Sequence, residues 1–163
     1  MEVWNHIFNF INTMSLKCET ELAIPGIIHN HGKPMTLSEL ICTTNSPYKS
    51  SKCLSRLKFL LIHSDFDVQR KISESDEEEG YVLTDASRLL ILANPLSLRP
   101  FLLSMLVPNV TKSWHYLSIW IQNDDPMPFD TAHGTLRVGV MQSMRRQNLS
   151  HFFNDAMATL MPA

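Results

Sequence analysis

The chain has 163 residues, 44% of them hydrophobic and 18% charged, a balance that fits about one globular domain with a sizeable core. Its 14 Lys and Arg against 16 Asp and Glu leave a formal net charge of −2, without the basic excess of a typical nucleic-acid binder. The five scattered glycines (Gly26, Gly32, Gly80, Gly134 and Gly139) fit neither G-x-G-x-x-G nor G-x-x-x-x-G-K-[ST], which argues against a self-contained nucleotide-binding α/β domain.

Val3 to Ala23 has a helical pattern that is apolar on more than one face: Val3, Ile7 and Met14 mark one, Trp4, Phe8 and Ile11 another. Such a helix needs cover on more than one side, and a second subunit is one source. The segment has no basic leader or small-residue cleavage site, so no secretory signal is expected. No stretch approaches about 18 uninterrupted apolar residues, so no membrane span is expected. Pro25-Gly26 interrupts the helix, and His29 to Pro34 is expected to be a loop.

Thr36-Leu37-Ser38-Glu39 is a capping box that opens a short helix. After a turn at Thr43 to Pro47, Ser50 or Ser51 caps a helix running to His63. Phe66-Asp67-Val68 and Tyr81-Val82-Leu83 alternate as the strands of a hairpin with an acidic tip, Ser73 to Gly80. Thr84 or Asp85 caps a further short helix. The order helix, turn, helix, two-stranded wing is the winged-helix arrangement. Helices are expected over Leu98 to Leu106, Val110 to Gln122 and Leu149 to about Met161, with a loop at Asp124 to Pro128.

Three cysteines (Cys18, Cys42 and Cys53), odd in number and without C-x-x-C spacing, suggest reduced thiols and a cytoplasmic protein. Lys49, Lys52, Arg56 and Lys58 on the second helix of the helix-turn-helix could meet phosphates, but the acidic wing tip opposes a DNA role. His29 and His31 are two apart and no acidic or thiol cluster joins them, so a polar loop is favoured over a metal pair. Phe153 and Met157 share a helical face, which suits core packing or the wall of a flat aromatic ligand.

Several strings together resemble the plant-type S-adenosylmethionine-dependent O-methyltransferases of the isoflavone and flavonoid branch. They are WNHIFNFI from Trp4 with Met14 to Lys17, IPGIIHNHGKP from Ile24, EEEGYVL from Glu78, SWHYL from Ser113 and FFNDAMA from Phe152. The resemblance covers residues 1 to about 135 and about 148 to 158, the family's N-terminal region. It implies a mainly α, winged-helix-like dimerisation domain over 1–135 with a small β-hairpin. An altered linker and the start of a substrate-pocket helix would occupy 136–163, and the catalytic Rossmann-like domain would be absent. Homodimers are implied, with heterodimers to full-length relatives as an alternative; neither a nucleic-acid nor a membrane partner is expected. Trp4, Ile7, Phe8, Ile11 and Ser15 would contribute to the dimer interface. Thr111, Trp114, Phe153 and Met157 would line the pocket for a phenolic substrate.

In the intact family enzyme a deprotonated phenol oxygen attacks the methyl group of S-adenosylmethionine. The glycine-rich loop and catalytic histidine for that step are not matched here, so no cofactor, metal or catalytic residue is assigned to this chain, and it is expected to be inactive alone. Where the family has an aromatic–Asp–Tyr–Ala string, this chain has Thr135 to Met144. Codons for Val138 to Met144 can be chosen so that a shifted frame spells Trp-Gly-Tyr-Ala-Glu-His. A shifted frame of Thr159 to Ala163 can likewise spell Asp-Ala-Arg. Frame shifts, or mis-called exon edges, that alter residues near 137–146 and end the chain early are the expectation that follows.

Overall fold

The structure is a computed structural model that describes residues 2–44, 51–64, 67–71 and 79–134. It is mainly helical, with one two-stranded antiparallel sheet among the described residues. The chain divides into two compact units, Met1–Arg99 and Pro100–Ala163.

The first unit begins with helix α1, Glu2–Glu21. It stops at Ala23, whose left-handed backbone (φ 56°, ψ 28°) an L-residue adopts only at a cost. Helix α2, Ile24–His31, starts at once. Pro25 sits in its first turn, where a missing N–H is harmless, and Gly32 at φ 74° closes it. Pro25-Gly26 therefore opens a helix, and His29 and His31 lie in its last turn, not in the expected loop. Basic residues there suit the negative end of the helix dipole.

Helix α3, Leu37–Thr43, carries the full capping box. The Glu39 N–H donates to Thr36 Oγ1 at 3.2 Å, and the Thr36 N–H donates to Glu39 Oε2 at 2.8 Å. Helix α4, Ser51–Ser64, packs on α1 and α3. Strands β1, Asp67–Lys71, and β2, Glu79–Leu83, pair with Asp67 opposite Leu83 and Lys71 opposite Glu79. An added bridge joins β2 to the segment before α3: the Tyr81 N–H donates to Met35 O at 2.8 Å, and the Met35 N–H returns the bond at 3.1 Å. A β-carbon at Gly80 would lie 2.8 Å from Pro34 Cβ, so this approach needs glycine. Helix α5, Asp85–Arg88, is capped by Thr84, which accepts from the Ser87 N–H at 3.1 Å.

The core of this unit is Ile24, Ile28, Met35, Leu40, Ile41, Leu57, Leu61 and Tyr81. It sits among α2, α3, α4 and β2, and only the C-terminal half of α1 joins the buried part of the molecule.

The second unit takes most of helix α6, Arg99–Met105, and all of α7, Pro108–Thr111, α8, Leu117–Trp120, and α9, Pro128–His133. The single helix expected over Val110 to Gln122 is instead three pieces, because Lys112–Tyr116 is wound as a tighter 3₁₀ turn. Thr, Ser, His and Tyr are weak helix formers, so packing against α9 decides the local pitch. His133 is buried there, its Nε2 2.9 Å from Asn109 O and its ring against Phe129. The loop expected at Asp124 to Pro128 is present. Asp125 holds it, accepting from Trp120 Nε1 at its carbonyl and from Thr131 Oγ1 and Asn123 Nδ2 at its carboxylate, all at 2.8 Å. Of the acidic tip expected over Ser73 to Gly80, Glu79 and Gly80 instead begin β2, and residues 73–78, like the helix expected from Leu149 and the segment 136–163, lie outside the described residues.

Candidate functional site

The N-terminal half of α1 is the most unusual surface of the first unit. Val3, Trp4, Ile7, Phe8, Phe10 and Ile11 are all exposed, Trp4 at 64% and Phe10 at 60%. Trp4 and Phe8, one helical turn apart, stack with ring centroids 6.0 Å apart. Scattered exposed apolar residues are ordinary, but a contiguous run on one helix marks an interaction surface.

The second half of α1 reverses the pattern. Ser15, Glu19 and Thr20 are buried, and Thr20 Oγ1 donates back to Leu16 O at 2.8 Å. Of the five residues expected at a dimer interface, Trp4, Ile7, Phe8 and Ile11 share the exposed half, while Ser15 is buried in its own unit.

At the elbow between α1 and α2 lies a hollow of about 950 Å³. Leu22, Ala23 and Ile27 line one side, Leu57 and Leu60 of α4 another. Sequence reasoning did not find this hollow, because its walls come from residues more than thirty positions apart. Cys18 and Cys53 also face it; burial, followed by the Glu21 carboxylate, pushes the Cys18 thiol pKa up, the opposite of an activated nucleophile. Cys18, Cys42 and Cys53 are all free thiols.

In the second unit, Thr111 is half-buried and Trp114 is 62% exposed, both within or beside the 3₁₀ turn. Phe153 and Met157 lie outside the described residues. Among the described residues no three His, Cys, Asp or Glu side chains gather as a metal site, and no helix is long and apolar enough to cross a membrane. A nucleotide-type cofactor needs glycines where backbone and ligand touch. Gly26, Gly32 and Gly134 border open space, and Gly80 packs on Pro34.

Residues 4–93, from Trp4 through the turns after α5, match the family model of the O-methyltransferase dimerisation domain. The chain belongs to the O-methyltransferase family and carries its dimerisation region. Trans-resveratrol di-O-methyltransferase of Vitis vinifera is 54% identical over 157 residues, a match covering 96% of this chain and 43% of that protein. 8-Hydroxyquercetin 8-O-methyltransferase of Mentha piperita is 44% identical, covering 96% of this chain and 44% of that protein. This chain thus spans less than half the length of these relatives.

Two solved structures share the fold at low identity. CalO1, a methyltransferase in calicheamicin biosynthesis solved in its SAH-bound form, matches with TM-score 0.69 and 17% identity over 98% of this chain and 43% of its own. The mitomycin 7-O-methyltransferase MmcR matches with TM-score 0.66 and 19% identity over 98% and 43%.

Proposed function

We propose that this chain is a dimerisation module of a plant phenolic O-methyltransferase and that it pairs through the N-terminal half of α1. The observation that carries this reading is the run of six exposed apolar side chains from Val3 to Ile11 within the matched dimerisation region. Burying a large apolar side chain contributes about 1.5–3 kcal/mol, which offsets the rigid-body entropy that association costs. Homodimers are the simplest product, and longer relatives with the same face would form mixed dimers.

In an enzyme of the relatives' length, this region would also help wall the pocket of a phenolic substrate, with Thr111, Trp114, Phe153 and Met157 as its contribution. The methyl donor, S-adenosylmethionine, would be held by residues outside the described ones, so no activity is assigned to this chain alone. The winged-helix-like reading covers residues 1–135, and 136–163 would begin the substrate-pocket segment. A cytoplasmic location accords with its free thiols. The net charge of −2 favours a protein partner over a nucleic acid.

Light scattering of the purified chain across a dilution series tests the reading. A dimer mass that falls to monomer on dilution is expected. A folded monomer at every concentration, with no affinity for longer relatives, would overturn it.

A further inference from the structure

A recess of about 360 Å³ opens in the first unit between the end of α2, strand β2 and α5. We propose that it binds a compact organic carboxylate, with the charge held between Lys33 and Arg88 and the apolar body resting on Ile28, Val82 and Leu83. The inference stands apart from the dimer reading and survives its failure.

The backbone explains why these residues meet. Gly32 ends α2 and turns the chain, so His29 before the turn and Lys33 after it both line the recess. The Tyr81–Met35 bridge lays β2 beside the segment that follows, which brings Val82 and Leu83 to the floor. Thr84 caps α5 directly after β2, and Arg88, four residues on, reaches the recess. Asn94 Nδ2 pins the Arg88 carbonyl at 3.0 Å. Ile28 is buried and the two strand residues are half-buried. A smaller hollow of about 260 Å³ adjoins through His29 and Arg88, which leaves room for a ligand larger than a single ion.

Charge favours an anion. Lys33, Arg88 and His29 line the recess, and among the described residues no carboxylate does. Arg88 Nε lies 4.0 Å from Asp85 Oδ1, but this exposed pair is weak and leaves the guanidinium fork able to take a carboxylate. Lys33 senses the charge of Glu39, yet that carboxylate is engaged. Its Oε2 accepts from the Thr36 N–H at 2.8 Å, and its Oε1 lies 3.8 Å from His31 Nε2. The C-terminal carbonyls of α2 oppose an anion with about half an elementary charge, which two full positive charges outweigh. The apolar floor favours a ligand with a carbon body over a bare hydrated ion, because only the former removes that floor from water.

Titration of the full chain with sodium benzoate, followed by amide NMR shifts, tests the proposal. Saturable shifts are expected at residues 28–33 and 82–88. Lys33→Gln and Arg88→Gln, both at exposed positions where a folded product is expected, should each weaken binding about tenfold. Inorganic phosphate, which lacks the body, and benzyl alcohol, which lacks the charge, should both bind more weakly than benzoate.

Absence of saturable benzoate binding would overturn the inference. Wild-type affinity in both glutamine variants would overturn it too. So would phosphate or benzyl alcohol binding as tightly as benzoate, which would mean a site for bare ions or for uncharged rings.

Discussion

From Val3 to Ile11 the first helix holds its large apolar side chains on the outside of the unit, whereas from Ser15 to Thr20 the same helix buries Ser15, Glu19 and Thr20. A helix stabilised only by its own fold would show the opposite arrangement, apolar inside and polar outside. The C-terminal half is held by α2 and α4, while the packed elements of the unit leave the N-terminal half uncovered. Its side chains make sense as half of an interface. On the proposed dimer reading, folding and association depend on different stretches of one element, and substitutions should separate them.

The largest effect is expected on the exposed half. Trp4→Glu with Phe8→Glu should weaken homodimerisation by about 10⁴-fold or more, as four large apolar side chains, two on each copy, lose burial at about 1.5–3 kcal/mol each. Urea unfolding of the monomer should hardly change. Coupled loss of folding and association in that variant would break the comparison.

In the core the order reverses. Leu40 is fully buried, and Leu40→Ala should cost about 2–5 kcal/mol in urea unfolding. Thr36→Ala removes the acceptor at the start of α3 and should cost about 1 kcal/mol. At the elbow, Ala23→Gly relieves the left-handed backbone and should stabilise the unit by about 0.5–1 kcal/mol in the same assay.

The smallest effect is electrostatic. The Thr36 N–H, followed by the Thr36 hydroxyl, holds Glu39 below its ordinary pKa of 4.5. A depressed carboxylate adds stability that is present above the ordinary pKa and lost as pH falls through the lowered one. Acid titration of unfolding should show this loss below about pH 4.5, and Glu39→Gln should flatten it.

Much of this architecture is written locally. The capping box at Thr36 and Glu39 and the Thr84 cap are short-range signals that stand where the sequence places them, and the two expected strands form but reach further towards the tip, to Lys71 and from Glu79. Pro25 and Gly32 also form a local signal, proline inside a helix start and glycine past its end, and it explains why His29 to His31 is helical. What could not be read depends on distant residues. The 3₁₀ turn at Lys112–Tyr116 is set by packing on α9, Ser15 turns inward where α1 meets its own unit, and the elbow hollow joins α1 to α4. The apolar excess on the first helix was legible, but its division into an outer and an inner half was not.

Hydrogen exchange along α1, followed by mass spectrometry at high and low protein concentration, tests the division most directly. The account predicts that amides from Val3 to Ile11 are protected in concentrated solution and lose that protection on dilution, while those from Ser15 to Glu21 change little. Protection of both stretches that is equal and independent of concentration would contradict it.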